Sequence, residues 1–120
     1  FSGGDQEVLA VAVRPDGGAV ATGGLEAQLS WWDPKTAERV RRTGGPGGSA
    51  NELAFDSKGT VLAAAGGDGT VRFYKPANGD PLKATPAGPA VFAVALDPAG
   101  RRAAVGGADG TVKVWDVADA

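Results

Sequence analysis

Three acidic residues, Glu26, Asp68 and Asp109, stand at matching points of this 120-residue chain. Carboxylates held close together bind a metal ion or divide acid and base work between them, so this set is the first candidate for chemistry. The residues beside them argue otherwise. Asp68 is followed by Gly69 and Asp109 by Gly110, and Asp-Gly between apolar runs signals a tight hairpin, with aspartate bonding the turn backbone and glycine supplying positive φ. The carboxylates therefore read as three copies of one turn, held apart by the fold. The glycine pairs Gly23-Gly24, Gly66-Gly67 and Gly106-Gly107 suggest phosphate loops, but no helix pattern and no Gly-Lys-Ser/Thr follows them. Ser30 has no base at a recognisable spacing. The chain has no histidine and no cysteine, which removes imidazole and thiolate ligands, cysteine nucleophiles and any triad with a histidine base. The expectation is a chain that is not an enzyme, with no catalytic, metal or cofactor site.

Binding residues are the other candidates. Arg39, Arg41 and Arg42, with Lys35 nearby, form the one basic concentration. They suit an anionic partner, or an outer edge strand whose charge resists edge-to-edge pairing; the second reading is favoured. Trp31 precedes Trp32, and strand alternation sends the two rings to opposite faces. Both can pack between sheets, and Trp31 is the candidate for exposure at a partner surface. A net charge of −2 argues against nucleic acid as a partner. No apolar run is long enough for a membrane helix, so no membrane partner is expected. The opening Phe1-Ser2-Gly3-Gly4 lacks the basic start and apolar stretch of a signal peptide. Absent cysteine decides nothing about compartment, and localisation stays open.

The elements that must position these residues recur along the chain. Arg14-Pro15-Asp16-Gly17, Asp56-Ser57-Lys58-Gly59 and Asp97-Pro98-Ala99-Gly100 are one turn repeated, each after a short apolar stretch. An aromatic follows each turn glycine at constant distance: Trp32, Tyr74, Trp115. A period of this length marks an array of identical supersecondary units. The units run 1–42, 43–84 and 85–120, within a single domain. Each carries a strand before the turn (Val8 to Val13, Ala50 to Phe55, Val91 to Leu96), one after it, and a third ending at the aromatic. A fourth can be drawn for the first two units only, Glu38 to Thr43 and around Pro81 to Ala84. Short apolar runs bounded by Gly and Asp, with weak helical periodicity, indicate an all-β chain of four-stranded antiparallel meanders.

The motifs resemble the WD-repeat β-propeller family over essentially the whole chain. Gly107-Ala108-Asp109-Gly110-Thr111-Val112-Lys113-Val114-Trp115-Asp116 follows the family signature. Gly67 to Lys75 repeats it with Tyr74 and Lys75 for Trp-Asp, and the first unit keeps Trp32-Asp33 but has Leu25-Glu26-Ala27-Gln28 at the turn. The resemblance implies β-propeller blades, with Trp32, Tyr74 and Trp115 packing between them. It implies a histidine in each opening loop, where this chain has about Gly4, Pro46 and Ala87, as in bacterial-looking, glycine- and alanine-rich versions of the repeat. Stability must then rest on packing and on the turns at Asp68-Gly69 and Asp109-Gly110, with Glu26-Ala27 the loosest.

Such arrays present surfaces more often than they do chemistry. The expected function is a non-catalytic interaction scaffold whose loops bind protein. The alternative is the propeller portion of a multidomain enzyme or sensor whose active site lies outside this chain. Propellers ordinarily close with four to eight blades. Three blades imply either a piece of a longer array or self-association, as a six-bladed dimer or a nine-bladed trimer. Val8, Val11 and Val13 at one end, and Val112, Val114 and Trp115 at the other, are expected to be covered by a second copy or by missing blades.

Overall fold

The computed structural model describes residues 7–25, 28–44, 48–76 and 81–117. These form eleven strands in chain order. The first sheet holds β1 (Val8–Val13), β2 (Val20–Gly24), β3 (Gln28–Trp32) and β4 (Arg39–Gly44). The second holds β5 (Ala50–Phe55), β6 (Leu62–Gly66), β7 (Thr70–Tyr74) and β8 (Pro81–Pro86). The third holds β9 (Val91–Leu96), β10 (Arg102–Gly107) and β11 (Val112–Asp116). Every pairing is antiparallel between chain neighbours, so each sheet is a simple meander. The expected fourth strand is present in two units, and among the described residues the third sheet has three strands.

The sheets stack face to face, and composition explains how closely. The middle strands are rich in alanine and glycine, and Ala63, Ala64 and Ala65 of β6 are fully buried, two facing one neighbouring sheet and one the other. Small side chains there let the larger flanking residues meet across each junction. Between the first and second sheets, Ala10, Ala21, Leu29 and Trp31 pack against Leu53, Leu62, Ala64 and Tyr74. Between the second and third, Ala63, Val71 and Phe73 pack against Val91, Val94, Ala103 and Val105. Strand alternation makes this possible, since Val71 and Phe73 face forward along the array while Tyr74 faces back.

That alternation refines two expectations. The aromatic closing each third strand faces the preceding sheet, so Tyr74 and Trp115 pack between sheets. Trp32 lies on the face of the first sheet turned away from the second, buried with its indole N–H donating to Thr22 Oγ1 at 2.9 Å. Trp115 likewise does not belong to the outer face of the third sheet: it packs against the junction with the second, while Val112 and Val114 are exposed on that outer face.

Candidate functional site

The aspartates of the short hairpins bind their own turns. Asp68 Oδ1 accepts from the Thr70 N–H at 3.1 Å and Thr70 Oγ1 at 2.6 Å, while Oδ2 lies 3.4 Å from the Arg72 guanidinium. Asp109 repeats the first pair with Thr111, at 3.0 and 2.7 Å. The Thr111 hydroxyl and N–H hold the Asp109 carboxyl below the ordinary aspartate range. Gly69 and Gly110 both take positive φ, +88° and +78°. Glu26, the third member of the set, lies outside the described residues. Among the described residues, no three of His, Cys, Asp and Glu gather to hold a metal.

The longer turns line up at the opposite strand ends and touch one another. Asp56, almost wholly buried, accepts from the N–H groups of Thr60 (2.7 Å) and Val61 (3.0 Å) and from Thr60 Oγ1 (2.6 Å). Asp97 caps Arg101 and Arg102 in the same way, at 2.7 and 3.1 Å, and these N–H groups lower its pKa. The first unit has Arg14 at this point, and Asp16 takes over by accepting from Gly18 N–H and Arg14 Nε, both at 2.8 Å. The turns join across units as well: the Ser57 N–H and hydroxyl both donate to the Pro98 carbonyl. Each of these carboxylates accepts from backbone N–H groups of its own turn.

The binding candidates separate sharply. Trp31 is not a partner surface, because it is only 2% exposed. Its indole N–H donates to Thr43 Oγ1 at 3.1 Å and its ring meets Phe55 edge-on at 6.4 Å, across the junction between the first two sheets. Exposure would have needed its face of β3 to be free, and that is the face the second sheet covers. Arg39 and Arg42 are exposed on β4, the outermost strand of the first sheet, and Arg41 is half-buried. The Arg39 guanidinium lies over the Trp32 ring, 5.7 Å from its centre, so part of the basic group packs on the sheet.

Two residues that sequence reasoning passed over tie the second sheet to the third. Asn51 Nδ2 donates to the Val91 carbonyl at 2.8 Å, and Glu52 Oε1 accepts from the Val94 N–H at 2.9 Å. Each first strand carries a bulge at the same point, which skips Leu9, Asn51 and Phe92 in turn. Polar side chains there can cross to the next inner strand. The available signal was Asn51-Glu52 itself, a polar pair where the other units have Leu9-Ala10 and Phe92-Ala93.

The stacked meanders, capped turns and bulged inner strands agree with the comparison to known families. The family model described as WD domain, G-beta repeat (WD40) matches residues 38–75 and 80–116. The chain belongs to the WD40 family. Each matched stretch starts at the outer strand of one sheet, β4 or β8, and runs through the three inner strands of the next, so a WD40 sequence repeat straddles two blades. Telomerase protein component 1 of Rattus norvegicus is 34% identical over 77 residues, which is 64% of this chain and 3% of that protein. The U3 snoRNP-associated protein-like EMB2271 of Arabidopsis thaliana is 33% identical over 70 residues, 58% of this chain and 15% of that protein. The chain thus spans a small part of these relatives. Solved structures titled "Structure of U3-55K" and "Crystal structure of RRP9 WD40 repeats" both superpose with a TM-score of 0.92 at 18% identity, over 98% of this chain and 38% of theirs. The fold is that of WD40 propeller blades.

Proposed function

We propose that this WD40 array is a non-catalytic interaction module that binds other proteins and whose end blades are covered either by a second copy of the chain or by further blades of a longer array. One observation carries the reading: positions buried at both internal junctions are open at the two ends. Leu29 and Trp31, then Val71 and Phe73, are sealed by the following blade, whereas their counterparts Val112 and Val114 are 75% and 62% exposed. On the other side Leu53 and Val94 are buried by the preceding blade, and their counterpart Val11 is 63% exposed, with Val13 beside it at 58%. These exposed positions of the first and third sheets match the two sides of an internal blade junction. Joined head to tail, two copies close as six blades, the arrangement favoured over a nine-bladed trimer, and hide apolar surface that monomers rarely leave open.

The names of the curated relatives place them in telomerase and with a snoRNP. A net charge of −2 supplies no basic footprint for RNA, so the partners proposed here are protein. Light scattering during size-exclusion chromatography tests the association. The expected mass is about twice that of the 11.9 kDa chain, and Val112→Asp with Val114→Asp should return it to a monomer with unchanged β-sheet circular dichroism. A monomer at high concentration without added partner would overturn the self-association.

A further inference from the structure

The two blade junctions bury apolar side chains alike but are fastened differently. Three residues of the second blade reach the third through hydrogen bonds. Asn51 donates to the Val91 carbonyl and Glu52 accepts from the Val94 N–H, both at the inner strands. At the turns, Ser57 gives its N–H and its hydroxyl to the Pro98 carbonyl. Two more bonds hold other corners of this junction. Lys83 of β8 donates to the Val117 carbonyl just past β11, and the Ala87 N–H donates to the Gly69 carbonyl.

The repeat puts Leu9, Ala10 and Pro15 of the first blade where the second has Asn51, Glu52 and Ser57. Leucine and alanine side chains carry no polar atom, and proline has neither an N–H nor a hydroxyl. None of the three can make its counterpart's bond to the next blade. Apolar contact holds there instead: Ala10, Ala21, Leu29 and Trp31 lie against Leu53, Leu62, Ala64 and Tyr74, with Trp31 edge-on to Phe55. At the inner strands a cleft of about 310 Å³ lies beside Ala10 and Leu53. Burial has no preferred direction, so surfaces that shift slightly keep most of its gain. A hydrogen bond weakens steeply once donor and acceptor tilt or part. The second junction therefore resists small displacements that the first allows.

We infer that the first junction is a hinge. The first blade rocks on the Trp31–Phe55 contact, closing and opening the cleft at the inner strands, while the second and third blades move as one body. The rocking sets the angle at which Val11 and Val13, exposed on the outer face of the first blade, meet whatever covers them. The hinge is the same whether that cover is a second copy or a further blade.

Amide relaxation dispersion on the whole chain tests the hinge, because rocking of one blade on another falls in the μs–ms range that it reports. Exchange broadening should appear at Leu29 to Trp31 and at Leu53, and be absent at Val71 to Phe73 and at Val94. Moving the ties should move the hinge. Leu9→Asn, Ala10→Glu and Pro15→Ser together supply partners for the Ala50 carbonyl, the Leu53 N–H and the Ser57 carbonyl. They should lower the rocked population about tenfold. The reverse change, Asn51→Leu with Glu52→Ala, should bring broadening to the second junction, and it decides the matter if the triple variant does not fold. Equal broadening at both junctions of the unsubstituted chain, or none at either, would overturn the hinge. So would a second junction left still by Asn51→Leu with Glu52→Ala. Broadening that grows with protein concentration would also overturn it, since that reports association between copies.

Discussion

Two glycines with the same backbone conformation should respond differently to the same substitution. Gly69 and Gly110 both close Asp-Gly hairpins at φ +88° and +78°. Alanine at either position meets the left-handed penalty, about 1–2 kcal/mol. At Gly110 nothing lies within 4 Å of where a Cβ would stand, so that strain is the whole cost. At Gly69 the new Cβ would collide with the Gly88 carbonyl, because the loop entering the third blade lies directly on this hairpin. The loop is held there by the Ala87 N–H, which donates to the Gly69 carbonyl at 2.7 Å. Displacing it forfeits that bond, about 1 kcal/mol, and disturbs Ala87 in the second junction. Gly69→Ala should therefore cost about 3 kcal/mol and Gly110→Ala about 1–2. Urea unfolding followed by tryptophan fluorescence resolves the difference, which corresponds to a midpoint gap of about 0.5–1 M. Equal costs, or a cheaper Gly69→Ala, would refute the claim that loop packing adds to turn strain.

Further substitutions probe the junctions and turns. Phe73→Ala should cost about 3–5 kcal/mol by emptying the second junction. Val114→Ala, at the same position of an open face, should stay within about 0.5 kcal/mol, both measured by urea unfolding at concentrations where the chain is monomeric. Ala37 sits at φ +61° in the turn after β3, so Ala37→Gly should raise stability by about 0.5–1 kcal/mol, visible as a higher thermal midpoint. Burial pushes the Tyr74 phenol up to about 12. An unfolded tyrosine loses its proton near 10, so the unfolded chain ionises first. This group then weakens the fold as pH rises from about 10 to about 12 and has no effect below that window, as unfolding curves against pH, compared with Tyr74→Phe, will show.

Much of the fold was legible from local chemistry. The turn residues, the alternation of Val71 and Phe73 against Arg72 and Tyr74, and the constant spacing of the aromatics all act within a few residues of chain. Local rules were therefore enough to place the strands and predict meanders. The roles of Asp68 and Asp109 were readable for the same reason, since each bonds a threonine two residues on.

What the sequence could not decide was which neighbour each face would meet. Trp31 and Trp32 alternate whatever lies beside them, and only the stacking direction buries Trp31 against Phe55 and turns Trp32 the other way. The same direction leaves Val114 open while Phe73, its equal in the repeat, is sealed. Asn51 and Glu52 looked like two polar residues in an apolar strand. Their importance comes from a bulge that aims them at Val91 and Val94, some forty residues away along the chain. Turn geometry and alternation are short-range properties carried by the residues themselves. Burial belongs to pairs of surfaces, and it exists only once the blades have stacked.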